Sequence, residues 1–117
     1  MSADNGVYIL KTPARPVKKG NALFNRHGVF EYRVAHCQAI DNLDYSDIYM
    51  PLLFGNSKVH ENEEDAIKEA KTIHDDLPFS EYGICLVEKR VTFPNMTSQE
   101  AYKAINSYIE DENFVPK

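Results

Sequence analysis

The residues best suited to chemistry sit in one stretch. Arg15, Lys18, Lys19, Arg26 and His27 fall within residues 12–28, around a single aromatic, Phe24. Cationic side chains hold phosphates and other anions, and an aromatic ring can stack a base. The stretch is therefore a candidate site for an anionic ligand, a nucleotide or an acidic surface on a protein partner. A solvated loop kept soluble by its lysines has the same composition, and both readings stay open. A pI near 5.3 argues against broad coating of nucleic acid, which draws on widespread positive charge.

A second candidate centres on His36. Imidazole titrates near neutral pH and can act as acid or base. In an extended strand Tyr32 lies on the same face as His36 and can stack or donate a hydrogen bond. Cys37 points to the other face, so it cannot pair with His36 as a thiol with its base. With His60 or Cys85 from other strands, Cys37 would supply zinc-type ligands, but the spacing of a zinc motif is missing. Asp41, Asp44 and Asp47 recur every third residue, yet Leu43 and Tyr45 interrupt the alternating oxygens of a calcium loop. Helix capping explains them better.

The chain holds no nucleophile elbow, phosphate loop, His-Glu-x-x-His or paired-cysteine motif. No catalytic residue, metal or cofactor is assigned, and an enzyme reading is weakened without being excluded. The acids Glu61, Glu63, Glu64, Asp65, Glu69, Asp75 and Asp76 cluster on or beside one segment. They form either a solvated face or a surface that meets a basic partner.

The elements that must position these groups can be read from periodicity. Residues 30–40 hold the longest uninterrupted strand pattern. Phe30, Tyr32, Val34 and His36 share one face; Glu31, Arg33, Ala35, Cys37 and Ala39 share the other. The second face starts charged and turns apolar, as in a strand running from the rim of a sheet into its middle. Residues 5–11 form a first strand ended by Pro13. The connection 12–28 is longer than a hairpin needs. A short helix distorted by Pro51 follows around 44–55, with Asp44 or Ser46 as its cap and Gly55 as its stop. Residues 57–60 suit a short strand. Asn62 caps a helix to about residue 77, with Ala66, Ile67, Ala70, Ile73 and Leu77 as its apolar stripe. Residues 82–91 form a strand apolar on both faces in its first half. Thr97 and Glu100 fit a capping box that opens a helix to about 110, with Ala101, Tyr102, Ile105, Tyr108 and Ile109 as its stripe. An acidic tail from 111 to 117 is expected to fray.

The 117 residues suit a single domain, with 43% hydrophobic and 26% charged side chains. Charge is uneven. Residues 1–40 carry six Lys or Arg against two acids, and residues 41–117 carry seven against sixteen, for a net −5. No apolar run is long enough to span a membrane, and no segment reads as a signal peptide. Two thiols in predicted strands suit a reducing compartment. The expectation is a single α+β domain over 1–117: a mainly antiparallel sheet of about four strands, with two main helices packed on one face.

Four segments together carry a resemblance. They are Ser2–Leu10, Tyr32–Asn42, Phe54–Val59 running into Glu63-Glu64-Asp65-Ala66, and Glu81–Ile84. They resemble a group of small accessory proteins encoded by tailed bacteriophages. The resemblance covers about half the chain and carries no catalytic residue with it. It implies the cytoplasm of an infected bacterium, and action by binding. The expected function is a non-catalytic accessory protein that binds and modulates or inhibits a bacterial host protein, a defence component included. The alternative is a small nucleotide-binding module or enzyme with a pocket near His36.

Overall fold

A computed structural model of the chain describes residues 6–37, 47–76 and 83–110. Among the described residues six strands and three helices follow in order: β1 (Gly6–Pro13), β2 (Val17–Lys19), β3 (Ala22–Phe24), β4 (Phe30–Cys37), α1 (Tyr49–Phe54), β5 (Val59–His60), α2 (Glu63–Asp75), β6 (Ile84–Glu88) and α3 (Ser98–Glu110). The main sheet has the order β5-β4-β1-β6. Its β1–β4 and β4–β5 pairs are antiparallel and its β1–β6 pair is parallel. The α+β class and the mostly antiparallel four-stranded sheet match the sequence reading.

The helices do not share one face. Alternation along β1 sends Val7 and Ile9 one way and Tyr8 and Leu10 the other. On the first side Val7, Ile9, Tyr32 and Val34 pack under Ala66 and Ala70 of α2. On the second, Tyr8 and Leu10 pack against Met50 and Phe54 of α1 and against Phe93, and α3 packs on α1. This corrects the expectation of both main helices on one face, because both sides of β1 are apolar and each needs cover. Each fully buried large side chain, such as Leu10 or Phe54, contributes roughly 1.5–3 kcal/mol of transfer free energy.

The starts of α2 and α3 follow the sequence signals, whereas α1 begins after Ile48, which makes no side-chain cap bond, rather than at Asp44 or Ser46. The Asn62 side chain accepts a 2.9 Å hydrogen bond from the Asp65 amide. The Glu100 amide donates to Thr97 Oγ1 at 3.1 Å, and the Thr97 hydroxyl donates to Glu100 Oε1 at 3.2 Å. Pro51 is accommodated because it falls in the first turn of α1, where its missing N–H has no intrahelical partner to lose. Gly55 follows the last residue of that helix with a helical backbone, and the position admits only glycine for lack of room. A Cβ there would collide with the Pro51 carbonyl oxygen and come within 2.9 Å of Ser98 Oγ, where α1 and α3 meet. His60 bonds Glu69 and so ties β5 to α2.

Some local readings differ. Much of 12–28 is not a plain loop. Val17–Lys19 pairs with Ala22–Phe24 in a two-stranded hairpin. Its two-residue turn places Gly20 at a φ of 62°, a value that tight hairpin turns demand and that glycine adopts without strain. The β6 face bearing Ile84 and Leu86 is exposed at the sheet edge, and only Cys85 and Val87 pack inward. Tyr102 lies exposed rather than in the apolar stripe of α3. The expected reach of the central strand beyond 37, Asp41, Asp44, Tyr45, Ser46, Leu77 and the tail 111–117 lie outside the described residues.

Candidate functional site

The site grows from one buried carboxylate. Glu31 and Arg33 alternate onto the α1 side of β4, next to Thr12 and Leu10 of β1. Their side chains are 5% and 3% exposed. The strand does start at the end of the ladder, where Phe30 faces Pro13, and the charges there are buried because Arg15 and Arg26 close over Glu31. A buried charge needs a partner. Glu31 has three. Arg15 Nε donates to Oε1 at 3.0 Å and Arg15 Nη2 to Oε2 at 3.4 Å. Arg26 Nη2 donates to Oε2 at 3.2 Å, and Arg33 Nη2 to Oε1 at 3.4 Å. Arg26 Nε also donates to the Arg15 carbonyl oxygen at 3.0 Å. The two loop arginines therefore close the base of the hairpin, one from each side.

Arg33 carries further consequences. Its guanidinium carbon sits 3.7 Å from the centroid of the Phe93 ring, a cation–π contact worth roughly 0.5–2 kcal/mol. Burial lowers its pKa below the ordinary arginine value, with the Glu31 carboxylate acting in the opposite direction and Arg15 adding to the lowering. Arginine still keeps its proton in proteins. Its Nη1 is buried and has no hydrogen-bond partner among the described residues.

Two clefts open beside this cluster. One of about 480 Å³ is lined by Arg15, Arg33, Ser57, Asn95, Thr97 and Glu100, with Phe93 and Gly55 among its apolar walls. Its neighbour, of about 450 Å³, shares Arg15, Phe93 and Asn95 and adds Leu23, Arg26 and Glu31. Neither lining includes a histidine or cysteine; the carboxylates are Glu100 in the first cleft and Glu31 in the second.

The predicted site residues separate into three places. Arg15 and Arg26 meet on Glu31. Lys18, Lys19 and Phe24 stand exposed on the hairpin, and His27 is exposed in the turn before β4. Tyr32 is buried under α2, beneath Lys11. His36 is on that same α2 side, exposed, about 16 Å along β4 from Glu31. Neither cleft is lined by Tyr32 or His36. The sequence reading missed Glu31, Arg33, Phe93 and Asn95. The signal for the first two was present: charges at i and i+2 on one face of an otherwise apolar strand.

Among the described residues, no group of three His, Cys, Asp or Glu side chains is placed to hold a metal ion, and no helix is long and apolar enough to cross a membrane. Asp47 instead pairs with Lys89 at 3.5 Å. No protein family, curated protein or solved structure matches this chain.

Proposed function

We propose that the chain is a non-catalytic binding protein that engages a protein partner through the β2–β3 hairpin. One observation carries this reading: a braced hairpin displays apolar side chains to solvent. Leu23 is 67% exposed and Phe24 52% exposed, and Val17 is exposed beside Phe24 as its cross-strand neighbour. Lys19 shares their face of the ribbon, while Lys18 shares the other with Leu23. Arg15 and Arg26 hold the hairpin base to Glu31. Less ordering cost then falls on association than for a free loop. An aromatic anchor flanked by lysines suits an acidic surface with an apolar pocket. Phe24 supplies affinity, and the lysines supply association rate and salt dependence.

The resemblance to bacteriophage accessory proteins gives the partner class: a bacterial host protein, modulated or inhibited in the infected cytoplasm. The test is affinity capture from bacterial lysate with the parent chain and with Phe24→Ala. Capture of one protein by the parent, lost or weakened with Phe24→Ala, supports the reading. Equal recovery by both chains removes the hairpin as the contact.

A further inference from the structure

We propose that the cleft between the hairpin base and the start of α3 binds a phosphate group, either free or at the end of a small ester. Arg15 and Arg33 are its guanidinium donors, and Ser57 and Asn95 its neutral ones. The phosphate cleft is lined by none of the exposed hairpin side chains and does not rest on the partner reading; only the adjoining cleft shares one of them, Leu23.

Three observations carry it. The first is charge. Three guanidinium groups share the Glu31 carboxylate, and even with exposed Glu61 counted against Arg26 the cluster keeps one positive charge in excess. Each guanidinium has five N–H donors, far more than one carboxylate can accept from. The second is an unmet donor. Arg33 is almost fully buried, yet its Nη1 has no acceptor among the described residues. Buried polar groups left in that state are costly, and a guanidinium beside a cleft is suited to an oxyanion. The third is the surround. Thr97, whose side chain caps α3, lines the cleft, so the positive end of that helix dipole opens on it. The adjoining cleft, with Leu23 and Thr92 on its wall, leaves room for the organic part of an ester.

One acid lines the phosphate cleft. Glu100 is exposed, with Oε1 accepting from the Thr97 hydroxyl. It opposes an anion and so provides a diagnostic. Glu61, 4.0 Å from Arg26 Nη1, is not part of this lining.

Substituting Arg33 would disturb the core, so the test uses exposed residues. Amide signals in ¹H–¹⁵N NMR spectra are followed while inorganic phosphate or adenosine monophosphate is added, with sodium acetate as the control anion. Saturable shifts at Ser57, Asn95 and Thr97 are expected, with a dissociation constant of about 1 mM or tighter. Asn95→Asp should weaken binding about fivefold or more, by placing a like charge in the cleft. Glu100→Gln keeps the acceptor for Thr97, removes the opposing charge, and should tighten binding about threefold. Lys71→Ala, exposed on α2 and outside both clefts, should leave binding unchanged. Tighter binding of the monophosphate, reduced by Leu23→Ala, assigns an ester; equal affinities assign the free anion. Absence of saturable shifts with either probe, equal response to acetate, or indifference to both Asn95→Asp and Glu100→Gln overturns the site.

Discussion

Glu31 Oε1 accepts a 3.4 Å hydrogen bond from Arg33 Nη2, two residues along the same strand. A strand turns such residues to one face, so the pair lies side by side within the sheet. The arrangement costs two desolvated charges and is tolerable because Arg15 and Arg26 close over the carboxylate. The hairpin, the central strand and the cleft are thereby linked through one side chain.

Replacing that side chain should be severe. Glu31→Ala leaves Arg33 buried without its counter-charge and detaches both hairpin arginines. Loss of one member of a buried ion cluster costs about 3–5 kcal/mol. Urea unfolding should show a lower midpoint by that measure. A loss within about 0.5 kcal/mol, the range of an ordinary surface change, would contradict the burial argument.

Thr12 gives a prediction of the opposite sign. It is fully buried across from Glu31, and its hydroxyl has no partner among the described residues. Burying a hydroxyl unpaired costs roughly 1–3 kcal/mol in proteins. Thr12→Val exchanges that hydroxyl for a methyl of similar shape. The variant should be more stable than the parent by about 1 kcal/mol in the same unfolding experiment.

The Asn62 cap can be tested in isolation from the core. Its side chain is exposed and holds the Asp65 amide at the start of α2. Asn62→Ala should cost about 0.5–2 kcal/mol. Asn62→Asp keeps the acceptor but loses the bond that Asn62 Nδ2 donates to Asp65 Oδ2 and sets two carboxylates against each other, so it should fall between the parent and Ala. Thermal melting of the three chains should rank parent above Asp and Asp above Ala.

Phe24 and Arg26 should part company. Phe24 is exposed, so Phe24→Ala should leave the melting temperature near that of the parent while weakening capture of a partner. Arg26 bonds both Glu31 and the Arg15 carbonyl. Arg26→Ala should therefore lower stability by about 1–3 kcal/mol, as loss of a charged hydrogen bond does, with any binding defect following from a loosened hairpin. Ile73→Ala, on the packed face of α2, should lower stability with no specific effect on capture. A Phe24→Ala chain that unfolds as readily as Ile73→Ala would show that the ring is structural.

The sequence by itself determined the elements whose causes are local. Asn62 and the Thr97–Glu100 pair placed two helix starts, since a cap needs only a side chain and an amide three residues on. Alternation in residues 30–37 separated the two faces of β4, because the pleat depends on nothing beyond the strand. Basic residues near Phe24 marked the hairpin region as notable. Tertiary structure decided what those basic residues do. Arg15 and Arg26 read as solvent-facing charge until β4 brings Glu31 between them from sixteen and five residues away in the chain. Tyr32 and His36 share a strand face, yet α2 covers only the first. Both sides of β1 are apolar, which sends α1 and α2 to opposite faces. Burial depends on what packs above a residue, and that is set by strand order and helix placement, which no local pattern encodes.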